Sequence, residues 1–199
     1  MSLAGLILAG GASQRMGREK ALLAYQGETL GDRLIGVLAG HCSPVIVVLG
    51  HHAEAIRAGL RRAGQAVFVV NESYVDGQLS SLQCGLAAVP EGAEGVLFLP
   101  VDYPAVQEAT VAALIGAFER RAGSPLVVPR YQGRRGHPVC CARELIPEFL
   151  ALGRDSQARV VVHRHAHETR YVEVDDPGIL RDVDDPEAYR NLIRTPEPQ

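Results

Sequence analysis

Two cations, three carboxylates and a run of small residues are spaced along this chain so that they could hold a polyphosphate and a metal ion. The first group is Gly10-Gly11-Ala12-Ser13-Gln14-Arg15-Met16-Gly17-Arg18-Glu19-Lys20, directly after the apolar run Gly5-Leu6-Ile7-Leu8-Ala9. Glycines let a backbone turn sharply and bring its N–H groups close to an anion. Arg15 offers a planar fork to phosphate oxygens, and Lys20 a point charge on the same phosphates. Together they would neutralise charge that builds on a departing pyrophosphate. Two familiar phosphate motifs are excluded by spacing. GxGxxG fails because Gly10 and Gly11 are adjacent, and GxxxxGK[ST] fails because Gly17 is followed by Arg18. A plain strand–helix connection with two surface cations would explain an isolated Gly-Gly pair, but not the full run.

Asp102, in Leu99-Pro100-Val101-Asp102-Tyr103-Pro104, follows a second apolar run. A carboxylate there suits magnesium, which takes hard oxygen ligands and needs only one or two from the protein. An Asx turn leading into Pro104 is the structural alternative. Asp182 and Asp184 alternate with Val183, so an extended segment would point both to one side. Asp185 before Pro186 reads as a helix N-cap. Gly77, Gln78 and Ser81 precede or open a helical pattern, where free N–H groups and hydroxyls could meet a base or ribose. Ser80 and Ser81 could equally be simple caps. In Gly133-Arg134-Arg135-Gly136-His137-Pro138, Arg135 and His137 would suit an anionic acceptor; an exposed hairpin with solvated cations explains them as well. His51-His52 and the alternating His163, His165 and His167 have no cysteine or paired carboxylate beside them in sequence. They read as solvated or helix-capping side chains.

The elements that must position these groups alternate. Short β-branched or leucine-rich runs at 5–9, 45–49, 66–70, 96–100, 126–129 and 171–174 predict strands. Helical patterns cover 30–39, 53–63, 79–88, 108–121, 143–151, 156–163 and 186–193. Strands apolar throughout are buried on both faces, so the expected fold class is α/β, a single three-layer Rossmann-like domain over 1–194 with a mostly parallel sheet. The turn-rich 131–139 stretch, with Val139-Cys140-Cys141 returning, predicts a hairpin at the sheet edge or a small flap. Only 195–199 reads as a disordered tail. In such a sheet, ligands bind beyond the carboxyl ends of the strands, where the glycine loop, Asp102 and the 182–184 segment would converge.

Composition narrows the partners. The 199 residues are 47% hydrophobic and 22% charged with a formal net charge of −3, which gives no basic face for nucleic acid. Four cysteines form no CxxC pair, and Cys140-Cys141 are adjacent, so neither a disulfide framework nor a zinc site is expected. The N-terminus lacks the pattern of a signal peptide and no run is long enough to span a bilayer, so a cytoplasmic, membrane-free protein is expected.

The stretch LAGGASQRMGREKALL resembles the N-terminal signature LAGGxSxRMGxxK of the MobA/MocA-like NTP transferases, without a gap. The 76–86, 99–104 and 182–187 segments are similar to that family's G-x-x-S-S-L, D-x-P and DIDTPED elements. The 133–138 stretch looks like the GxxGHP of its MocA-like cytidylyltransferase branch, so the resemblance covers nearly the whole chain. It implies the nucleotide-diphospho-sugar transferase type of fold. It implies a magnesium-dependent transfer of NMP from an NTP, CTP favoured and GTP the nearest alternative, to the phosphate of molybdopterin. Leu8, Ala9, Gly10, Gly11 and Ser13 would wrap the triphosphate, and Gly77, Gln78 and Ser81 would lie near the nucleoside. Arg15, Lys20 and Asp102 would be catalytic, Asp102 and Asp184 would hold Mg2+, and Arg135 and His137 would meet the acceptor. A recipient molybdoenzyme is a further implied partner. A sugar 1-phosphate acceptor and a non-catalytic cofactor carrier are the remaining alternatives; a pure carrier has no need of the Arg15, Lys20 and Asp102 set.

Overall fold

The apolar run before the glycines becomes β1 (Leu3–Ala9), an interior strand of an eight-stranded sheet. This computed structural model describes residues 2–11, 13 and 15–194. β1 pairs in parallel with β4 (Val45–Leu49) on one side and β6 (Gly95–Pro100) on the other. Between β1 and β4 lie a small hairpin, β2 (Ala24–Tyr25) and β3 (Glu28–Thr29), and helix α1 (Leu30–Ala39). Helix α2 (Ala53–Gly59) leads to β5 (Val67–Val70), and α3 (Gln78–Ala87) leads to β6. Then follow α4 (Glu108–Glu119), β7 (Leu126–Tyr131), β8 (Arg134–Arg135), β9 (Val139–Ala142), α5 (Ile146–Leu150), α6 (Arg159–Arg164), β10 (Thr169–Glu173) and α7 (Pro186–Arg194). The strand order is β10-β7-β9-β6-β1-β4-β5, with β8 paired to β7.

Alternation along the strands makes three layers. Ile7, Val47 and Leu49 face one apolar cluster with Leu34, Leu38, Leu114 and Phe118 of α1 and α4. Leu6, Leu8, Ile46 and Val48 face the other, with Leu82 and Leu86 of α3 and Phe149 of α5. Burial of both faces is why these strands carry no polar period, and it agrees with the expected α/β class.

The 131–139 stretch departs from expectation. The hairpin forms, with Gln132 and Gly133 both at positive φ (47° and 78°), the backbone of a two-residue primed turn linking β7 to β8. Val139-Cys140-Cys141-Ala142 is neither edge nor flap. As β9 it enters the sheet between β6 and β7, antiparallel to both. Cys140 belongs to one apolar cluster and Cys141 to the other, so a strand apolar on both faces takes an interior place. Other differences are small. The 53–63 helix stops at Gly59, and 143–151 begins as a short 3-10 turn. The β2–β3 hairpin, whose Gln26-Gly27 turn also has positive φ, was not expected. The tail at 195–199 lies outside the described residues. Among the described residues, no helix is long and apolar enough to cross a membrane.

Candidate active site

Because β1, β4 and β6 run parallel and side by side, the segments leaving their carboxyl ends emerge together. After β1 the chain turns at Gly10, whose Cα sits so close to α3 that a Cβ would lie 2.7 Å from Ser81 Oγ. Ser13, at φ 48°, then anchors the loop: its carbonyl accepts from the N–H of Met16 (2.9 Å) and Gly17 (3.1 Å), and its hydroxyl from the Lys20 N–H (3.2 Å). Lys20 is thereby aimed inward while Arg15 stays exposed at the rim. Ala12 and Gln14 are outside the described residues.

After β6, Asp102 turns its side chain toward the same point. Lys20 Nζ donates to Asp102 Oδ2 at 3.1 Å and to Asp184 Oδ1 at 2.8 Å. Arg15 lies 3.9 Å from the other oxygen of Asp184. Asp184 arrives there because the Val183 N–H donates to the Asp102 carbonyl at 2.8 Å and the Val183 side chain is buried. The expected alternation therefore holds: Val183 packs inward and the flanking carboxylates face the cavities, though Asp182 lines the neighbouring one. Asp185 accepts from the N–H of Glu187 and Ala188, the cap expected of it.

The charges are unequal in environment. Burial pushes the Asp102 carboxyl above the usual carboxylate range, against the pull of Lys20. Asp184, half exposed, is held below that range by its hydrogen bond from Lys20. Burial lowers Lys20, but the two carboxylates outweigh it and its ammonium is held above the ordinary value. Asp102 Oδ1 is buried and has no hydrogen-bond partner among the described residues. A buried carboxylate oxygen without a partner is costly unless something positive meets it, and a hard divalent cation with oxygen ligands fits that need.

These groups line a cavity of about 710 Å³ together with Leu8, Ala9, Gly10, Gly11 and Ser13 on one wall and Gly77, Gln78 and Ser81 on another. The start of α3 faces it, with Gly77 at φ 98° as a cap that leaves the first N–H groups open. Ser81 is not a cap. It is buried and accepts from Asn71 Nδ2 at 3.1 Å, while Ser80 accepts from the same group at 2.8 Å. Sequence reasoning missed Asn71, although a polar residue directly after an apolar strand was the available signal. It also missed Glu19, His51 and Tyr74, which line the cavity too.

A second cavity of about 870 Å³ adjoins the first through Leu8, Gly77, Gln78 and Pro100, and Arg135 and His137 line it. Arg135 is exposed and reaches the Tyr171 hydroxyl at 3.4 Å. His137 is of another kind: its ring packs 4.7 Å from that of Tyr103, and burial lowers its pKa to about 4. It is neutral at physiological pH, with a buried Nδ1 that has no partner among the described residues. Of the pair singled out for an anion, only Arg135 brings charge.

The sequence matches the MobA-like NTP transferase domain model over residues 5–169. Among curated proteins, the chain is 34% identical to nicotine blue oxidoreductase of Paenarthrobacter nicotinovorans over 95% of each chain. It is 40% identical to a probable molybdenum cofactor guanylyltransferase of Opitutus terrae, over 62% of this chain and 59% of that one. It is 23% identical to molybdenum cofactor cytidylyltransferase of Escherichia coli over 92% of each. Among solved structures, Rv0371c of Mycobacterium tuberculosis superposes with a TM-score of 0.83 at 30% identity, covering 98% of this chain and 100% of that one. The same protein in complex with manganese gives 0.78 at 28% identity, over 98% and 100% of the two chains. With a domain match over residues 5–169 and a relative 34% identical along nearly its whole length, this chain belongs to the MobA-like NTP transferase family.

Proposed function

We propose that this chain transfers a nucleoside monophosphate from an NTP, CTP in the first instance, to the phosphate of molybdopterin and releases pyrophosphate. One observation carries the reading: Lys20, from the glycine loop, meets Asp102 and Asp184 at 3.1 and 2.8 Å inside a nucleotide-sized cavity. The reaction needs no enzymic nucleophile. An oxygen of the acceptor phosphate attacks the α-phosphorus in line, and the bond to the bridging oxygen breaks as pyrophosphate leaves. The loop residues Gly10, Gly11 and Ser13 cradle the triphosphate, with Arg15 and Lys20 neutralising the leaving group. Gly77, Gln78 and Ser81 face the nucleoside, and Arg135 pairs with the acceptor in the adjoining cavity. Asp102, through its unpartnered Oδ1, and Asp184 would hold magnesium, which when bound supplies charge neutralisation at the phosphates.

Pyrophosphate release with molybdopterin, Mg2+ and each of CTP, GTP, ATP and UTP tests the proposal; CTP-dependent release is expected. The 133–138 loop and the E. coli cytidylyltransferase relative favour CTP, whereas the O. terrae relative favours GTP. Release with GTP alone would replace the donor and keep the reaction. The P. nicotinovorans relative supports a different reading, a redox enzyme using the same nucleotide cavity. That reading predicts reductive turnover, no pyrophosphate, and indifference to Asp102. Transfer of the finished dinucleotide to a recipient molybdoenzyme belongs to the same proposal.

A further inference from the structure

The two histidines that the sequence leaves without partners acquire one in the fold. β1 and β4 are parallel neighbours, so the end of the glycine loop and the turn after β4 lie side by side. The His51 N–H donates to the Gly10 carbonyl at 3.4 Å, and His52 caps α2 in the left-handed conformation, at φ 51°. Glu19 Oε1 then lies 3.0 Å from His51 Nδ1 and 2.9 Å from His52 Nδ1. The two rings are 3.7 Å apart, with Tyr74 edge-on behind His51 at 5.9 Å. Glu19 is largely buried, and Glu19 and His51 line the nucleotide cavity.

We propose that Glu19, His51 and His52 form a site for a borderline transition dication of the zinc class, at the cavity rim and separate from the oxygen-only Asp102–Asp184 pair. All three donor atoms lie within 4.8 Å of one another. Two imidazoles and one carboxylate are the donor set that zinc, cobalt and nickel prefer over magnesium. Around zinc, with bonds of about 2.0–2.1 Å, tetrahedral ligand atoms sit roughly 3.3 Å apart, so Glu19 Oε1 and each nitrogen need part by only a few tenths of an ångström. Three protein ligands leave a fourth position for water or for a ligand in the cavity. The bound ion would fasten the residue next to Lys20 to the turn after β4. The inference does not depend on which reaction the chain performs.

The full, metal-free chain without nucleotide is titrated with zinc chloride by calorimetry, and with Co2+ by visible absorption. One equivalent of zinc is expected, undisturbed by excess Mg2+. His52→Asn removes the imidazole while keeping a residue that tolerates the left-handed backbone, and is expected to weaken binding by roughly tenfold or more. Glu19→Gln should do the same, and Asp102→Asn should change nothing. Absence of stoichiometric binding in the wild type overturns the proposal. So does unchanged binding in His52→Asn, or loss on Asp102→Asn alone, which would place the ion at the other site. If Glu19→Gln does not fold, the His52→Asn comparison and its Co2+ spectrum decide the matter.

Discussion

At the scale of single residues, the site rests on a lysine that two carboxylates hold in place and a carboxylate oxygen that no described residue satisfies. Lys20→Ala removes the inward cation and leaves Asp102 buried beside no positive group. Pyrophosphate release is expected to fall by about 10²–10³, with an unchanged circular dichroism spectrum. Asp102→Asn keeps the shape and removes the charge, and a similar fall is expected. Stripping divalent ions with EDTA should abolish release in the wild type, and Mn2+ as well as Mg2+ should restore it. Activity that persists in EDTA would remove the hard-cation role from Asp102 and Asp184. Arg15, exposed at the rim, meets the leaving group in solvent, so Arg15→Ala is expected to lower pyrophosphate release by less than Lys20→Ala does.

At the scale of elements, two pieces position the site without touching the substrate. Asp185 caps α7 by accepting from the N–H of Glu187 and Ala188, one residue after Asp184. Asp185→Ala should cost about 1 kcal/mol in urea unfolding. β9 sits between β6 and β7, and the Cys140 side chain is wholly buried in an apolar cluster, which pushes its thiol well above the ordinary range. Cys140→Ser puts a hydroxyl there and is expected to destabilise by about 1–3 kcal/mol. A shift of the urea midpoint without a change in slope would identify the loss as stability alone.

At the scale of the whole molecule, acid should weaken the fold in a definable window. His137 has a folded pKa of about 4 against an ordinary 6.5, because burial disfavours its charged form. Between those values the unfolded chain binds the extra proton and the folded chain does not, so stability is full above about 6.5 and declines as pH falls toward 4. The limit is on the order of 3 kcal/mol. Denaturation midpoints measured across that range should fall more steeply for the wild type than for His137→Gln. Equal slopes would mean that His137 is not the group responsible.

The sequence by itself determined the α/β class, the central strands and the glycine turn that follows the first of them. Those are local matters: buried parallel strands read as unbroken apolar runs, and a glycine-rich turn carries its own geometry. Val45–Leu49 and Leu30–Ala39 fall where their patterns put them, and Asp185 caps as its position before Pro186 implies. Three things waited for the tertiary structure. The place of Val139–Ala142 was one, since an apolar tetrapeptide does not say whether it lies at an edge or inside a sheet. His137 was another: beside two arginines it reads as a polar loop residue, and only its burial in the fold lowers its pKa to about 4. The last was every pairing across distance. Lys20 with Asp102 and Asp184, Asn71 with Ser81, and Glu19 with His51 and His52 depend on which strands lie side by side. Strand order is set by burying both faces of the sheet at once, a condition on the whole chain that no single segment contains.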